Sequence, residues 1–253
     1  MKDNHNKLLD WRDIAVALSL LSRWPLRLSE SAYARSAQAV WAYPIAGALI
    51  ALPVAGLAIF CLWIGLSTGL SALLALACLT ATTGAVHEDG LADSVDGLWG
   101  GHTAARRLEI MKDSRIGVYG VLALIFGIGL RWLALTALFD GGAVFGPILA
   151  AATLSRAVPP ALMRCLPSVR STTGLSKSVG TPEALHVGCA AATAIVFAAL
   201  ALHGIPIVAF VGATLAGAGC AIIARSKING QTGDILGASQ QVTEITVLLC
   251  LAL

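Results

Sequence analysis

The sequence predicts an all-α fold: a polytopic integral membrane bundle of about seven transmembrane helices, with an N-terminal interfacial helix. Three observations predict it. Of 253 residues, 57% are hydrophobic and 12% charged, and soluble domains carry about twice that charged share. Apolar runs of bilayer-crossing length recur along the whole chain. The basic residues fall in alternate connections between those runs, as they do when Lys and Arg are held on one side of a membrane.

Residues 1–38 mix charge with apolar positions. Leu8, Trp11, Ala15 and Leu18 recur at helical spacing, with Asp10, Arg12 and Asp13 among them. The run Ile14 to Leu21 is too short to span, so this segment is expected to lie on the membrane surface and to end near Arg23-Trp24-Pro25. Thirteen charged-rich residues followed by so short a run do not make a cleavable signal peptide. Spans are expected near 39–65, 70–87, 117–138, 144–163, 185–203, 205–224 and 236–253. The second should break early, where Thr80, Thr82, Thr83 and Gly84 lead into an acidic stretch. Residues 1–253 form one domain, with 39–253 as the bundle and loops 87–116, 164–184 and 225–240 carrying the chemistry.

The connections near 66–69, 139–143 and 204 hold no Lys or Arg, whereas the N-terminal segment, 88–116, 164–184 and 225–235 hold almost all of them. This places the N-terminus and the basic loops in the cytoplasm and the C-terminus outside. A net charge of +3 is too small to suggest nucleic acid as a partner; the partner implied is the lipid bilayer. The six cysteines form no CxxC pair and read as small buried hydrophobes.

The chemistry centres on His87-Glu88-Asp89-Gly90-Leu91-Ala92-Asp93-Ser94-Val95-Asp96-Gly97-Leu98-Trp99-Gly100-Gly101. On a helix, Asp89, Asp93 and Asp96 fall at i, i+4 and i+7, so three carboxylates share one face. Such a column calls for a cation. Oxygen-only ligands favour Mg²⁺, with Mn²⁺ or Ca²⁺ next; Glu88, Asp89, Asp93 and Asp96 are the candidate ligands. Gly90 and Gly97 are expected to leave room for a phosphate ester. A solvated acidic loop between spans would show the same spacing.

Arg106, Lys112, Asp113 and Arg115 follow within one connection, and cations beside a metal-binding column suit a metal-bound phosphate. Topology alone would also place Arg106 and Arg107 there. A third cluster holds Arg225, Lys227, Asn229, Gly230, Thr232, Gly233, Asp234 and Gly237, where glycines and a hydroxyl beside an aspartate suit close approach to phosphate or sugar. Gln240, Gln241 and Glu244 should face the bundle interior. Arg156 is placed to reach the site, whereas Arg131 is expected to snorkel outward or to pair with Asp140. His87 and His102 read as hydrogen-bonded structural residues. No P-loop, GxGxxG or Ser/Cys–His pair is present, so the chemistry is metal-assisted attack by a substrate hydroxyl.

The runs HEDGLADSVDGLWGG and MKDSRIGVYGVLAL, with LLSRWPLRL, YPIAGALI, Ser155-Arg156, Gly174-Leu175 and NGQTGDILGASQQVTE, resemble the cobalamin (vitamin B12) synthase family, adenosylcobinamide-GDP ribazoletransferase. The resemblance spans nearly the whole chain and departs at Asn229, where a glycine is expected. It implies a Mg²⁺-dependent transferase of the bacterial inner membrane. Its substrates would be adenosylcobinamide-GDP and α-ribazole, or its 5′-phosphate; its products would be adenosylcobalamin, or its phosphate, and GMP. A homo-oligomer is compatible with it. On this reading a ribose 5′-hydroxyl attacks the phosphorus attached to cobinamide. Asp93, Asp96 or Asp113 takes the proton, and Arg106, Lys112, Arg115, Arg156, Lys227, Thr232 and Asp234 contact substrate. Two other readings remain: a lipid phosphotransferase with a CDP-activated donor, whose DGxxAR start is absent here, and a membrane transporter.

Overall fold

A computed structural model describes residues 8–169, 179–205 and 207–253. Its helices are α1 (Arg12–Leu21), α2 (Tyr43–Trp63), α3 (Thr68–Thr83), α4 (Val86–Gly100), α5 (Ala104–Ile110), α6 (Val118–Asp140), α7 (Phe145–Cys165), α8 (Ala184–Ala201), α9 (Ile207–Ile228) and α10 (Gly233–Ala252). Two short 3₁₀ turns, Glu30–Arg35 and Ala39–Ala42, join α1 to α2. The all-α bundle expected from composition is what the chain forms.

Among the described residues, five helical stretches are long and apolar enough to cross a membrane: Ala39–Trp63, Val118–Asp140, Ala184–Ala201, Ile207–Ile228 and Gly233–Ala252. A sixth candidate is the pair α3 and α4, bent by 88°. Helix α7 occupies the place of the expected fourth span, but its second half carries Arg156, Pro159, Pro160 and Arg164. The connection expected over 88–116 is largely helical, as α4 and α5.

Small residues set the helix spacing. Along α2, Ala46, Ala48, Ala51, Ala55 and Ala58 are buried, facing Ala150, Ala151 and Ala152 of α7. A Cβ on Gly47 would come within 2.5 Å of the Ala152 carbonyl oxygen. Lipid offers helices no hydrophobic reason to associate, so close van der Waals contact between small residues supplies it.

The N-terminal segment docks on the bundle by a different face from the one its spacing suggested. Asp13, Val16, Ala17 and Leu18 are buried, while Leu8 and Trp11 stay exposed. The reason is the Asp13 carboxylate, which Arg35 grips through Nε and Nη2, both at 3.0 Å, and to which the Trp41 indole donates at 2.9 Å. That hydrogen bond raises the Arg35 guanidinium above its usual pKa.

The bend between α3 and α4 has a local cause. Gly84 caps α3 in the left-handed conformation at φ 66°, and Ala85 follows at φ 58°. Two left-handed residues in a row reverse the helical path, and α4 restarts at Val86. Asn229, the departure from the family pattern, also takes a positive φ of 57°. Asn is the residue after Gly that tolerates this region best, so the turn is kept.

Candidate active site

The acidic helix α4 crosses α10 at close range. A Cβ on Gly90 would lie 2.9 Å from the Asp234 carbonyl oxygen, and one on Gly237 would lie 3.4 Å from the Gly90 Cα. Gly97 likewise faces the Met111 side chain and the Arg107 carbonyl. These glycines therefore serve helix packing; they do not keep space for a phosphate ester.

Beside the crossing lies a cavity of about 260 Å³. Leu20, Leu21, Pro159 and Met163 form its apolar side, and Tyr43, His87, Asp89 and Asp234 its polar side. Asp89 is exposed there, and among the described residues its carboxylate has no partner. Asp234 sits in the first turn of α10, where Thr232 caps the helix by accepting from the Ile235 amide and donates to Asp234 Oδ2 at 3.2 Å. Asp93, one turn beyond Asp89, is half-buried. The Asp93 and Asp234 carboxylates both have partners.

The other two acids of the motif point elsewhere. Glu88 is buried, and its Oε1 accepts from Arg131 Nη2 and Gln241 Nε2, each at 3.2 Å, and from Thr80 Oγ1 at 3.4 Å. Arg131 also donates to Glu244 Oε1 at 3.2 Å; Glu244 Oε2 accepts from Arg156 at 2.6 Å and Gln240 at 2.7 Å. Two arginines and two glutamates thus form a charge-balanced network inside the bundle. This corrects two expectations. Arg131 is buried and pairs with Glu88 and Glu244, while Asp140 stays exposed. Arg156 is held by Glu244 and Ser155, away from the cavity lining. Burying either arginine without a partner would be costly, and the glutamates remove that cost. Gln240, Gln241 and Glu244 face the interior, as their place in an apolar span implied.

Asp96 is also buried, and its two oxygens cap helix α6. Oδ2 accepts from the Gly117 amide at 2.7 Å and Oδ1 from the Gly120 amide at 2.9 Å. These are the amides of the N-cap and of the third helical residue, which have no partner in their own helix. A Cβ at Gly117 or Gly120 would collide with the same carboxylate. The glycines of RIGVYG therefore make room for an aspartate of the first motif, which links the two motifs through space.

The remaining predicted residues lie off the cavity. Asp113 is bound by Arg115 through Nε at 3.0 Å and Nη2 at 2.7 Å. That pairing lowers the Asp113 carboxyl to about 2, which makes it a weak proton acceptor. Arg106 pairs with Glu109 at 2.8 Å, both exposed. Lys112 is exposed. Lys227 donates to the Leu98 carbonyl at 3.0 Å and lies 4.7 Å over the Trp99 ring; Arg107 donates to the Lys227 carbonyl at 2.8 Å. The loop after α7 meets the one before α10 where Val169 donates to the Gln231 carbonyl and Gln231 to that of Pro167. Arg170, Gly174, Leu175 and Lys177 lie outside the described residues. Sequence reasoning missed Tyr43 and His87 on the cavity; only the position of His87 next to Glu88 and Asp89 hinted at it.

A match to the cobalamin-5-phosphate synthase family covers residues 13–252. The chain belongs to this family. Proteins named adenosylcobinamide-GDP ribazoletransferase are similar over nearly their full length. The one from Bradyrhizobium diazoefficiens is 45% identical across 95% of this chain and 93% of its own. That from Sinorhizobium medicae is 42% identical across 96% and 97%, and that from Rhizobium meliloti 41% across 96% and 97%. No solved structure matches. The family and these relatives support the enzyme class read from the two motifs, a transferase of cobalamin biosynthesis.

The residues fit Mg²⁺ in one way and not in another. Among the described residues, no three His, Cys, Asp or Glu side chains converge to hold a metal ion. The cage of Glu88, Asp89, Asp93 and Asp96 is therefore not formed. Mg²⁺, however, is commonly bound by one or two carboxylates and completed by substrate phosphates and water. Asp89 and Asp234, on one cavity and on different helices, suit that arrangement, with Asp93 one turn away.

Proposed function

We propose that this protein joins α-ribazole, or its 5′-phosphate, to adenosylcobinamide-GDP and releases GMP. The observation that carries the reading is the pairing of Asp89 and Asp234 on one cavity, in a chain whose relatives bear that enzyme's name. The acids would hold Mg²⁺, with Mn²⁺ as the alternative, against the diphosphate; the ion's contribution is to offset charge that builds on the leaving phosphate.

In the transfer, a ribose hydroxyl oxygen forms a bond to the cobinamide-bearing phosphorus. The bond from that phosphorus to the bridging oxygen breaks, and the oxygen leaves on GMP. The hydroxyl proton passes to a carboxylate: Asp89 on the cavity, or Asp93 one helical turn from it. Asp96 is occupied by the α6 amides and Asp113 by Arg115. A 5′-phosphorylated acceptor has no free 5′-hydroxyl, and the two products share one linkage, so for both acceptors the expected 5′ attack gives way to attack by a 2′ or 3′ oxygen. Lys112 and Arg225, both exposed, are available to the GDP phosphates. The excess of Lys and Arg in alternate connections supports a site on the cytoplasmic face of the inner membrane, where nucleotides are found.

The test is GMP release by purified protein given adenosylcobinamide-GDP, α-ribazole and Mg²⁺. Release that stops with a chelator is expected. Turnover of a CDP-activated lipid without GMP release would overturn the reading.

A further inference from the structure

The cavity beside the α4–α10 crossing is unusual for a nucleotide site. Among the described residues, no Lys or Arg lines it, and two carboxylates do. A bare polyphosphate would be repelled there. The lining instead suits a ligand with an apolar ring on one side and hydroxyls on the other. Leu20, Leu21 and Met163 offer the first surface, and His87, Asp89 and Asp234 the second. His87 is buried, and its Nδ1 has no hydrogen-bond partner among the described residues. Buried polar atoms in folded proteins are nearly always paired, so this one stands out in a residue that lines the cavity.

A cation lies close by along the chain. Arg23 follows α1 by two residues, and its amide donates to the Thr82 carbonyl at 2.8 Å. Its side chain crosses Gly84 so closely that a Cβ there would overlap Arg23 Cγ and Nε. The residues on either side, Leu21 in one chain segment and Val86 in the other, both line the cavity. The arginine is exposed, and no carboxylate pairs with its guanidinium among the described residues. Gly84 thus does two things: it turns the chain and it seats an uncompensated positive charge beside an acidic cavity.

We propose that this cavity seats the acceptor nucleoside, with its apolar base against Leu20, Leu21 and Met163, and that Arg23 close by binds the acceptor's phosphate. The proposal rests on the transfer reading above and adds to it which substrate enters this cavity and what selects its phosphorylated form. Arg23 is then a specificity residue that leaves the reacting atoms to the carboxylates.

The experiment compares binding of α-ribazole and α-ribazole 5′-phosphate to the full chain in detergent micelles, read by the fluorescence of the benzimidazole ring, with GMP release followed in parallel. Arg23→Gln and Arg23→Met, the second keeping the stem over Gly84, should weaken the phosphate ester by about 10- to 100-fold, the loss of a charge-assisted contact. Both should leave the free nucleoside within about twofold, which also shows that the variants are folded. Arg23→Lys should recover part of the loss, and Leu21→Trp, which fills the cavity, should weaken both ligands. Equal loss of both ligands in the Arg23 variants would make Arg23 a structural latch and overturn its role. Unchanged binding in Leu21→Trp would overturn the site. Wild-type binding of both ligands without any GMP release would keep the site and remove the transfer reading.

Discussion

The substitution Asp96→Asn separates two descriptions of the acidic helix, because it changes the side chain by one atom and removes its charge. In the structure both Asp96 oxygens accept from amides of α6, at 2.7 and 2.9 Å. An asparagine keeps one acceptor and turns an NH₂ group toward the other N–H. One hydrogen bond to a charged group is lost, worth about 1.5–3 kcal/mol. The favourable placement of negative charge at a helix N-terminus is lost too, worth about 0.3–1 kcal/mol. The sum is about 2–4 kcal/mol, and for a chain of this size each kcal/mol moves Tm by about 2–4 °C. Thermal unfolding in detergent should therefore fall by about 5–15 °C, with GMP release reduced at 37 °C and partly recovered on cooling. An Asp96→Asn variant with unchanged Tm and no turnover at any temperature would refute the capping role and return Asp96 to the chemistry.

Asp89→Asn should do the reverse: its carboxylate is exposed and has no partner among the described residues, so Tm should hold while GMP release falls by at least about 100-fold, and full activity would remove Asp89 from the site. Arg131→Met and Arg156→Met should each lower stability by about 3–5 kcal/mol, because each leaves the buried network with two glutamates and one arginine; unfolding curves that match wild type would show that the network is not buried as described. Arg115 holds the Asp113 carboxyl down to about 2 from a usual 3.8, so the group's small contribution to stability is complete above pH 3.8 and fades only as pH falls toward 2. Asp113→Asn should accordingly leave the pH–rate profile between pH 5 and 9 unchanged, and a lost acidic limb would identify Asp113 as the base.

Much of the frame was legible from residue type and spacing. Apolar length located the helices, and three aspartates at i, i+4 and i+7 do lie on one helix, α4. Gln240, Gln241 and Glu244 announced an inward face because lipid would not tolerate them. What spacing could not supply was the partner across space. Asp96 is satisfied by backbone amides, which leave no trace in a sequence beyond the two glycines at 117 and 120. Glu88 is adjacent to Asp89 in the chain yet projects to the opposite environment, toward Arg131, because neighbours on a helix differ by about 100°. The second carboxylate of the cavity, Asp234, comes from a helix that packs closely on α4 at the Gly90–Gly237 contact, and no local pattern encodes that meeting. The sharp turn at Gly84 and Ala85 was half visible: the glycine was plain, but a left-handed alanine has no sequence signature.

The division of labour along α4 is tested most directly by Mn²⁺ electron paramagnetic resonance on the purified protein, with and without adenosylcobinamide-GDP. A bound-Mn²⁺ signal should appear only when the diphosphate substrate is present, vanish in Asp89→Asn and Asp234→Asn, and persist in folded Glu88→Gln. Mn²⁺ held equally well without substrate, or retained in Asp89→Asn and lost in Glu88→Gln, would mean that the ion is gripped by the residues the structure places in the bundle interior.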